Sequence, residues 1–191
     1  MNFKGKDEMI RKLDAAVDGE CPQEITDCVR NALCEMVDSG RIRLPDCVFE
    51  PGEDHYARRE LHRDDERGYS VMAMTWGPGQ GTPVHDHSGM WCVEAVWQGN
   101  IEVVQYELME ESGQRARLEP RTTMRAGVGS AGSLIPPHEH HTICNPDDRE
   151  VAVTVHIYSG HMNSCCVFDR ESGNWYRRKE KQLGLDSQAV G

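Results

Sequence analysis

His85 and His87 stand one residue apart in the stretch TPVHDHSGMWCVEAVWQGN, residues 82–100, and Cys92 follows five residues after His87. On an extended segment that spacing sends both imidazoles to one face, with Asp86 pointing away. Neutral imidazole is the commonest protein metal ligand, so a metal is the simplest reason to pair two rings just before a strand. The pair alone decides little, because paired histidines also occur on solvated strands. A second group, HEHHTICN at 138–145, offers His138, His140 and His141 as further donors. YARREL, at 56–61, sets Tyr56 beside two guanidiniums, Arg58 and Arg59. VTVHIYS, at 153–159, alternates: Thr154, His156 and Tyr158 share one face, and Val153, Val155 and Ile157 the other. A buried tyrosine hydroxyl on such a face requires a hydrogen-bond partner. His62 and His161 belong to no pattern and read as surface residues.

These groups are ordered in a recognisable way. Gly79 lies six residues before His85, and Gly99 seven after Cys92. The set resembles the first motif of the cupin barrel: a glycine, the paired histidines, a fourth ligand and a second glycine. Cys92 occupies the place where many cupins carry a glutamate ligand. His141 and Asn145, four apart, resemble the second motif, with Pro136 in place upstream and His138 where a glycine is usual. That spacing selects His141 among the three candidates and leaves His138 and His140 as solvated loop residues. With YARREL, WGPGQGTPVHDH, HTICN and VTVHIYS in order, the chain resembles the cysteine dioxygenase family of thiol dioxygenases over roughly residues 45–170.

The resemblance implies one mononuclear non-haem Fe(2+) per chain, held by His85, His87 and His141. It implies substrate binding by Tyr56 and Arg58, whose planar fork suits a carboxylate. Leu61 comes one residue later than the family's pattern, so Arg59 stays open, although alternation puts Arg58 on the face of Tyr56. Thr154 replaces a serine in a relay with His156 and Tyr158, and Tyr158 would face substrate and dioxygen. Cys92 and Tyr158 match a pair that some members join by a thioether; the other reading of Cys92 is a small buried residue. Ser159 and Gly160 stand where mammalian members have serine and proline, which puts the pocket wall at 159–162 in doubt.

Elementary chemistry agrees with this reading. Three imidazoles leave the charge of a divalent ion uncompensated, whereas the commoner oxygenase triad includes a carboxylate. An anionic substrate then binds well, and a thiolate suits because metal coordination deprotonates thiols. The expected reaction is oxidation of L-cysteine by O2 to cysteine sulfinate. Another small thiol carboxylate, such as 3-mercaptopropionate, is the alternative substrate. A non-catalytic metal-binding cupin and a zinc cupin isomerase are rivals from other classes. The first needs neither Tyr158 nor Arg58, and the second usually keeps the absent carboxylate ligand.

Such a site needs strands to hold it. YSVMAMTW (69–76), CVEAVWQ (92–98), IEVVQYEL (101–108) and VAVTVHIY (151–158) are short, rich in β-branched residues and partly alternating. Turn signals separate them: GPGQG at 77–81, QGN at 98–100 and NPDD at 145–148. Before them, residues 22–39 carry Ile25, Cys28, Val29, Ala32, Leu33, Met36 and Val37 at steps of three and four, a helical stripe opened by Pro22 and stopped by Gly40. A shorter helix is expected over 7–18. The expected fold is therefore mainly β, a jelly-roll-like cupin sandwich or barrel at 41–183 with an N-terminal helical segment, 1–40, packed on it. Residues 1–191 then make a single domain with a frayed tail at 184–191.

Bulk properties narrow the partners. The formal net charge is −11, which argues against nucleic acid and against an anionic membrane surface. No run of about 18 apolar residues occurs, and the first residues lack an apolar signal core, so a cytoplasmic location is expected. Eight cysteines without a CxxC read mostly as small buried hydrophobes in a reducing compartment. The expected partners are a small thiol and dioxygen.

Overall fold

Apolar residues with a helical period end at Gly40, and a period of two governs most of the chain beyond it. The computed structural model describes residues 1–186. α1 (Lys6–Ala16) and α2 (Pro22–Ser39) come first in the chain, α2 with Pro22 in its first turn and Gly40 at φ 61°, a left-handed stop that glycine adopts without strain. Eleven strands come after the helices among the described residues: β1 (Ala57–Asp64), β2 (Tyr69–Trp76), β3 (Val84–His85), β4 (Cys92–Gln98), β5 (Asn100–Ser112), β6 (Arg115–Gly127), β7 (Ala131–Leu134), β8 (His141–Cys144), β9 (Ala152–Tyr158), β10 (Ser164–Ser172) and β11 (Trp175–Gln182). The expected mainly-β architecture with N-terminal helices is the one the chain adopts.

The strands pair antiparallel in two groups. One sheet runs β1-β2-β9-β4-β7; the other strands close a ring, β10-β11-β6-β5-β8-β3. The first sheet is covered on both faces, and its alternation sorts side chains between two cores. Val71, Ala73, Val93, Ala95, Val153, Val155 and Ile157 pack with Met9, Leu13, Val29, Leu33 and Met36 of the helices. Met72, Met74, Trp76, Cys92, Val96 and Tyr158 face the barrel interior. The stripe of Thr154, His156 and Tyr158 is thus interior, not solvated, and every residue of β9 is buried. Burying a Val- or Leu-sized side chain contributes about 1.5–3 kcal/mol, so the helical layer anchors the sheet from which the polar stripe projects.

The tail expected to fray from residue 184 is tied down as far as Asp186. Its backbone N–H donates to the Arg58 carbonyl at 2.8 Å, and its carboxylate accepts from the Arg58 backbone N–H at 2.7 Å and lies 2.9 Å from His55 Nε2. Residues 187–191 lie outside the described part. All eight cysteines are free thiols, and Cys21 and Cys28 are exposed rather than buried. Among the described residues no helix is long and apolar enough to cross a membrane.

Candidate metal centre and adjoining pocket

β3 is only two residues long, yet it places the first imidazole. His85 pairs with His141 of β8 on one side and with Val167 of β10 on the other. Asp86 locks the next residue: its Oδ1 accepts from the backbone N–H of Cys166 at 2.8 Å and of Ser88 at 3.1 Å. Gly81 lets β8 close up beside this segment, since a Cβ there would lie 2.6 Å from the Cys144 Cβ. His87 then follows the strand, and the three rings converge. Centroid separations are 4.5 Å for His85–His141, 5.0 Å for His87–His141 and 5.4 Å for His85–His87.

The nitrogens of this cluster lie within 4.8 Å of one another. His85 is half-buried, with Nδ1 3.3 Å from the Pro83 carbonyl, which orients a ring whose other nitrogen is free. Both nitrogens of His87 and of His141 are buried without a hydrogen-bond partner. Burial holds all three imidazoles below their usual pKa, His87 and His141 well below it, with the neighbouring rings adding to the effect. Convergent rings, two of them without a hydrogen-bond partner, fit a divalent cation, because each neutral imidazole offers one nitrogen lone pair.

His138 is exposed, as expected, but His140 is not a solvated loop residue. It is 6% exposed, its ring lies 5.2 Å from that of Phe168, and it stands outside the cluster. His62 and His161 are half-buried rather than fully on the surface. Asn145 fixes the turn after β8: its side-chain N–H group donates to the carbonyls of Trp76, Gly77 and Glu150, and its oxygen accepts from the Asp147 N–H.

A small pocket adjoins the cluster, lined by Tyr56, Arg58, Trp76, His85, His156 and Tyr158 among others. Tyr56 stacks on Trp76, centroids 4.5 Å apart. Arg58 reaches the pocket from β1 and is 5% exposed; its Nη2 donates to the Met162 carbonyl at 2.7 Å, and its Nε is unpartnered. Arg59 points the other way and is equally buried. It donates to Thr75 Oγ1 at 3.2 Å and to the Glu50 carbonyl at 2.9 Å, a packing role that the sequence left open.

On β9 the polar stripe makes a directed chain. The Trp76 indole N–H can only donate, and it does so to Thr154 Oγ1 at 2.9 Å. The Thr154 hydroxyl lies 2.7 Å from His156 Nε2. His156 Nδ1 faces the Tyr158 hydroxyl at 3.4 Å. Cys92 and Tyr158 are direct cross-strand partners of β4 and β9. Burial pushes the Cys92 thiol and the Tyr158 phenol up, each further raised by neighbouring negative groups.

One polar residue here was missed in the sequence. Glu94 follows Cys92 by two on β4, so it shares the inward face, and it is 7% exposed. Its Oε1 lies 3.3 Å from His156 Nδ1 and 3.5 Å from His141 Nε2. A lone acid inside the apolar run CVEAVW was the available signal.

Comparisons with known proteins concern the same segments. The family model "Cysteine dioxygenase type I" matches residues 52–171. The chain is 26% identical over 110 residues to cysteine dioxygenase type 1 of Rattus norvegicus, covering 56% of this chain and 52% of that one. It is 25% identical over 116 residues to that of Danio rerio, covering 61% and 57%. The chain thus spans about half the length of the curated relatives it matches. Among solved structures, an uncharacterized conserved protein with a double-stranded β-helix domain from Klebsiella pneumoniae matches at TM-score 0.47 and 15% identity, covering 67% of this chain and 98% of that one.

Proposed function

This chain belongs to the cysteine dioxygenase type I family, and from that premise we propose that it is an iron-dependent thiol dioxygenase acting on L-cysteine. The observation that carries the reading is the convergence of three imidazoles, those of His87 and His141 buried without a hydrogen-bond partner, beside a pocket that holds the Arg58 guanidinium with its Nε unpartnered and one buried phenol. His85, His87 and His141 would hold a single Fe(2+). When bound, iron supplies the thiolate site and the activation of dioxygen.

The chain's own groups do the rest. Arg58 sits within the pocket, anchored through Nη2, with its Nε unpartnered and available to a substrate carboxylate. Tyr56 limits the pocket against Trp76. His156, held through Thr154 and Trp76, keeps its Nδ1 3.4 Å from the Tyr158 hydroxyl, where the ring orients the phenol. Both oxygen atoms of one O2 pass to sulfur, converting RSH to RSO2H, with sulfur oxidised and no outside electron donor required. The cross-strand pairing of Cys92 and Tyr158 supports a thioether between the sulfur and the ring carbon next to the phenol oxygen, formed with loss of two protons and two electrons to dioxygen. Eight free thiols support a cytoplasmic location.

The alternative substrate, a thiol carboxylate without an amino group, uses the same Arg58 contact. The test is a variant series. His85→Ala, His87→Ala and His141→Ala should each lose iron and thiol-dependent oxygen uptake, whereas His140→Ala should keep most of both. Iron retained by His141→Ala and lost by His140→Ala would overturn the ligand set.

A further inference from the structure

Arg58 stands on β1, the outer strand of the first sheet, where only β2 pairs with it. The segment after β11 covers the other side. Leu183 N–H donates to the Asn163 carbonyl at 2.7 Å. Asp186 then closes on the Arg58 backbone twice: its N–H donates to the Arg58 carbonyl at 2.8 Å, and its carboxylate accepts from the Arg58 N–H at 2.7 Å. Between them the Gly184 carbonyl accepts from Arg58 Nη1 at 3.4 Å. This strap, residues 183–186, runs from the closed ring to the open sheet and holds one residue at three atoms.

The same strap walls the pocket beside the metal centre. Leu183 lines it with Tyr56 and Arg58, and a wider cavity of about 350 Å³ shares those three residues and adds His55, Lys181 and Asp186. Arg58 is 5% exposed, and among the described residues no carboxylate pairs with its side chain: its bonds end on the carbonyls of Met162 and Gly184. A buried guanidinium in that state calls for an anion. Asp186 is an acid that meets this residue, yet its two oxygens go to the Arg58 backbone and to His55 Nε2 at 2.9 Å. The strap thus fixes the arginine without neutralising it, and the charge stays free for a carboxylate entering the pocket. An arginine already held in one rotamer loses less entropy when it binds.

We propose that Asp186 is a positioning residue for substrate binding: through the strap it presets the Arg58 guanidinium for the carboxylate of a thiol carboxylate. The inference rests on the assignment of Arg58 to the substrate and extends it to a residue 128 positions further along the chain. It makes the strap a determinant of selectivity. Loosening it should weaken the preference for thiols that carry a carboxylate over thiols that do not, and should leave the chemistry at sulfur alone.

Asp186→Ala removes the side-chain grip, and Asp186→Asn keeps one oxygen to accept from the Arg58 N–H. Oxygen uptake by iron-loaded protein is measured for both variants, for Arg58→Gln and for the double variant Arg58→Gln/Asp186→Ala. The substrates are L-cysteine and cysteamine, the same aminothiol without the carboxylate. Asp186→Ala should raise KM for L-cysteine roughly tenfold, as for the loss of one hydrogen bond to a charged group, with kcat little changed. Asp186→Asn should recover part of that difference, and cysteamine should be used no worse than by wild type. In the Arg58→Gln background Asp186→Ala should add nothing, because its effect passes through the guanidinium. An aspartate that only ties down the chain predicts a lower melting temperature with KM for L-cysteine unmoved, or equal losses on both thiols that add in the double variant; either result overturns the proposal. If Arg58→Gln raises KM and Asp186→Ala does not, only Asp186 is wrong. If Arg58→Gln leaves KM unmoved, or wild type oxidises neither thiol, the reading of the pocket and this inference fall together.

Discussion

Thr154 joins two buried groups, the Trp76 indole and His156 Nε2, so its hydroxyl can be weighed separately from its methyl. Oγ1 accepts from the Trp76 indole at 2.9 Å and pairs with His156 Nε2 at 2.7 Å. Thr154→Val replaces the hydroxyl with a methyl of similar size, so packing is conserved while both partners are stranded. Each unsatisfied buried group costs about 1–3 kcal/mol, giving about 2–6 kcal/mol in all. Thr154→Ser keeps the hydroxyl and removes one methyl, a loss of about 0.5–1.5 kcal/mol. Urea unfolding of metal-free protein measures both, with equal m-values required for the comparison. The valine variant should also turn over thiol more slowly than the serine variant, because His156 loses its partner at Nε2. If Thr154→Ser costs as much stability as Thr154→Val, packing governs the site and the directed chain from Trp76 to Tyr158 is wrong.

Arg58→Gln should raise KM for cysteine roughly ten- to a hundredfold, the loss of a charge-assisted contact of about 1.5–3 kcal/mol. Arg59→Gln should instead lower stability, through its lost bonds to Thr75 and Glu50, and leave KM nearly unchanged; the reverse pattern exchanges the two roles. Peptide mapping after many turnovers should find residues 92 and 158 in one joined species about two hydrogen masses lighter, absent in Cys92→Gly; separate peptides throughout would leave Cys92 a plain buried thiol. Metal-free protein should lose stability as the pH falls. His87 and His141 are kept neutral by burial in the folded state, so below about pH 6.5 the unfolded chain binds more protons, and each ring removes about 1.4 kcal/mol per pH unit. Unfolding midpoints measured between pH 7 and pH 5 should track that slope, and His87→Gln should flatten it; a midpoint that rises on acidification would contradict the buried neutral rings.

Much of this site could be read before the fold was seen, for definite reasons. β2 and β4 begin and end where their β-branched and aromatic runs do, because both faces of each strand are buried. α2 shows its stripe because one face packs on the sheet. β6 and β11 were illegible: RARLEPRTTMRAG and WYRRKEKQ are largely exposed ladders held by backbone pairing, so no burial pattern marks them. Arg58 and Arg59 could be ranked by alternation, yet the role of Arg59 depends on Thr75 and Glu50, which are not its neighbours in sequence. Glu94 escaped because a single acid in an apolar strand has no meaning until its cross-strand partners, His156 and Gly132, are known.

The fate of dioxygen at this cluster is the most direct test of a thiol dioxygenase. Iron-loaded protein, its metal content measured, is given L-cysteine under oxygen-18 gas, and uptake and product mass are followed together. One O2 should be consumed per thiol, giving a sulfinate that carries both labelled atoms, with neither seen for His87→Ala. A fully iron-loaded protein that consumes no oxygen with cysteine or 3-mercaptopropionate, or that returns disulfide and unlabelled product, would contradict that function.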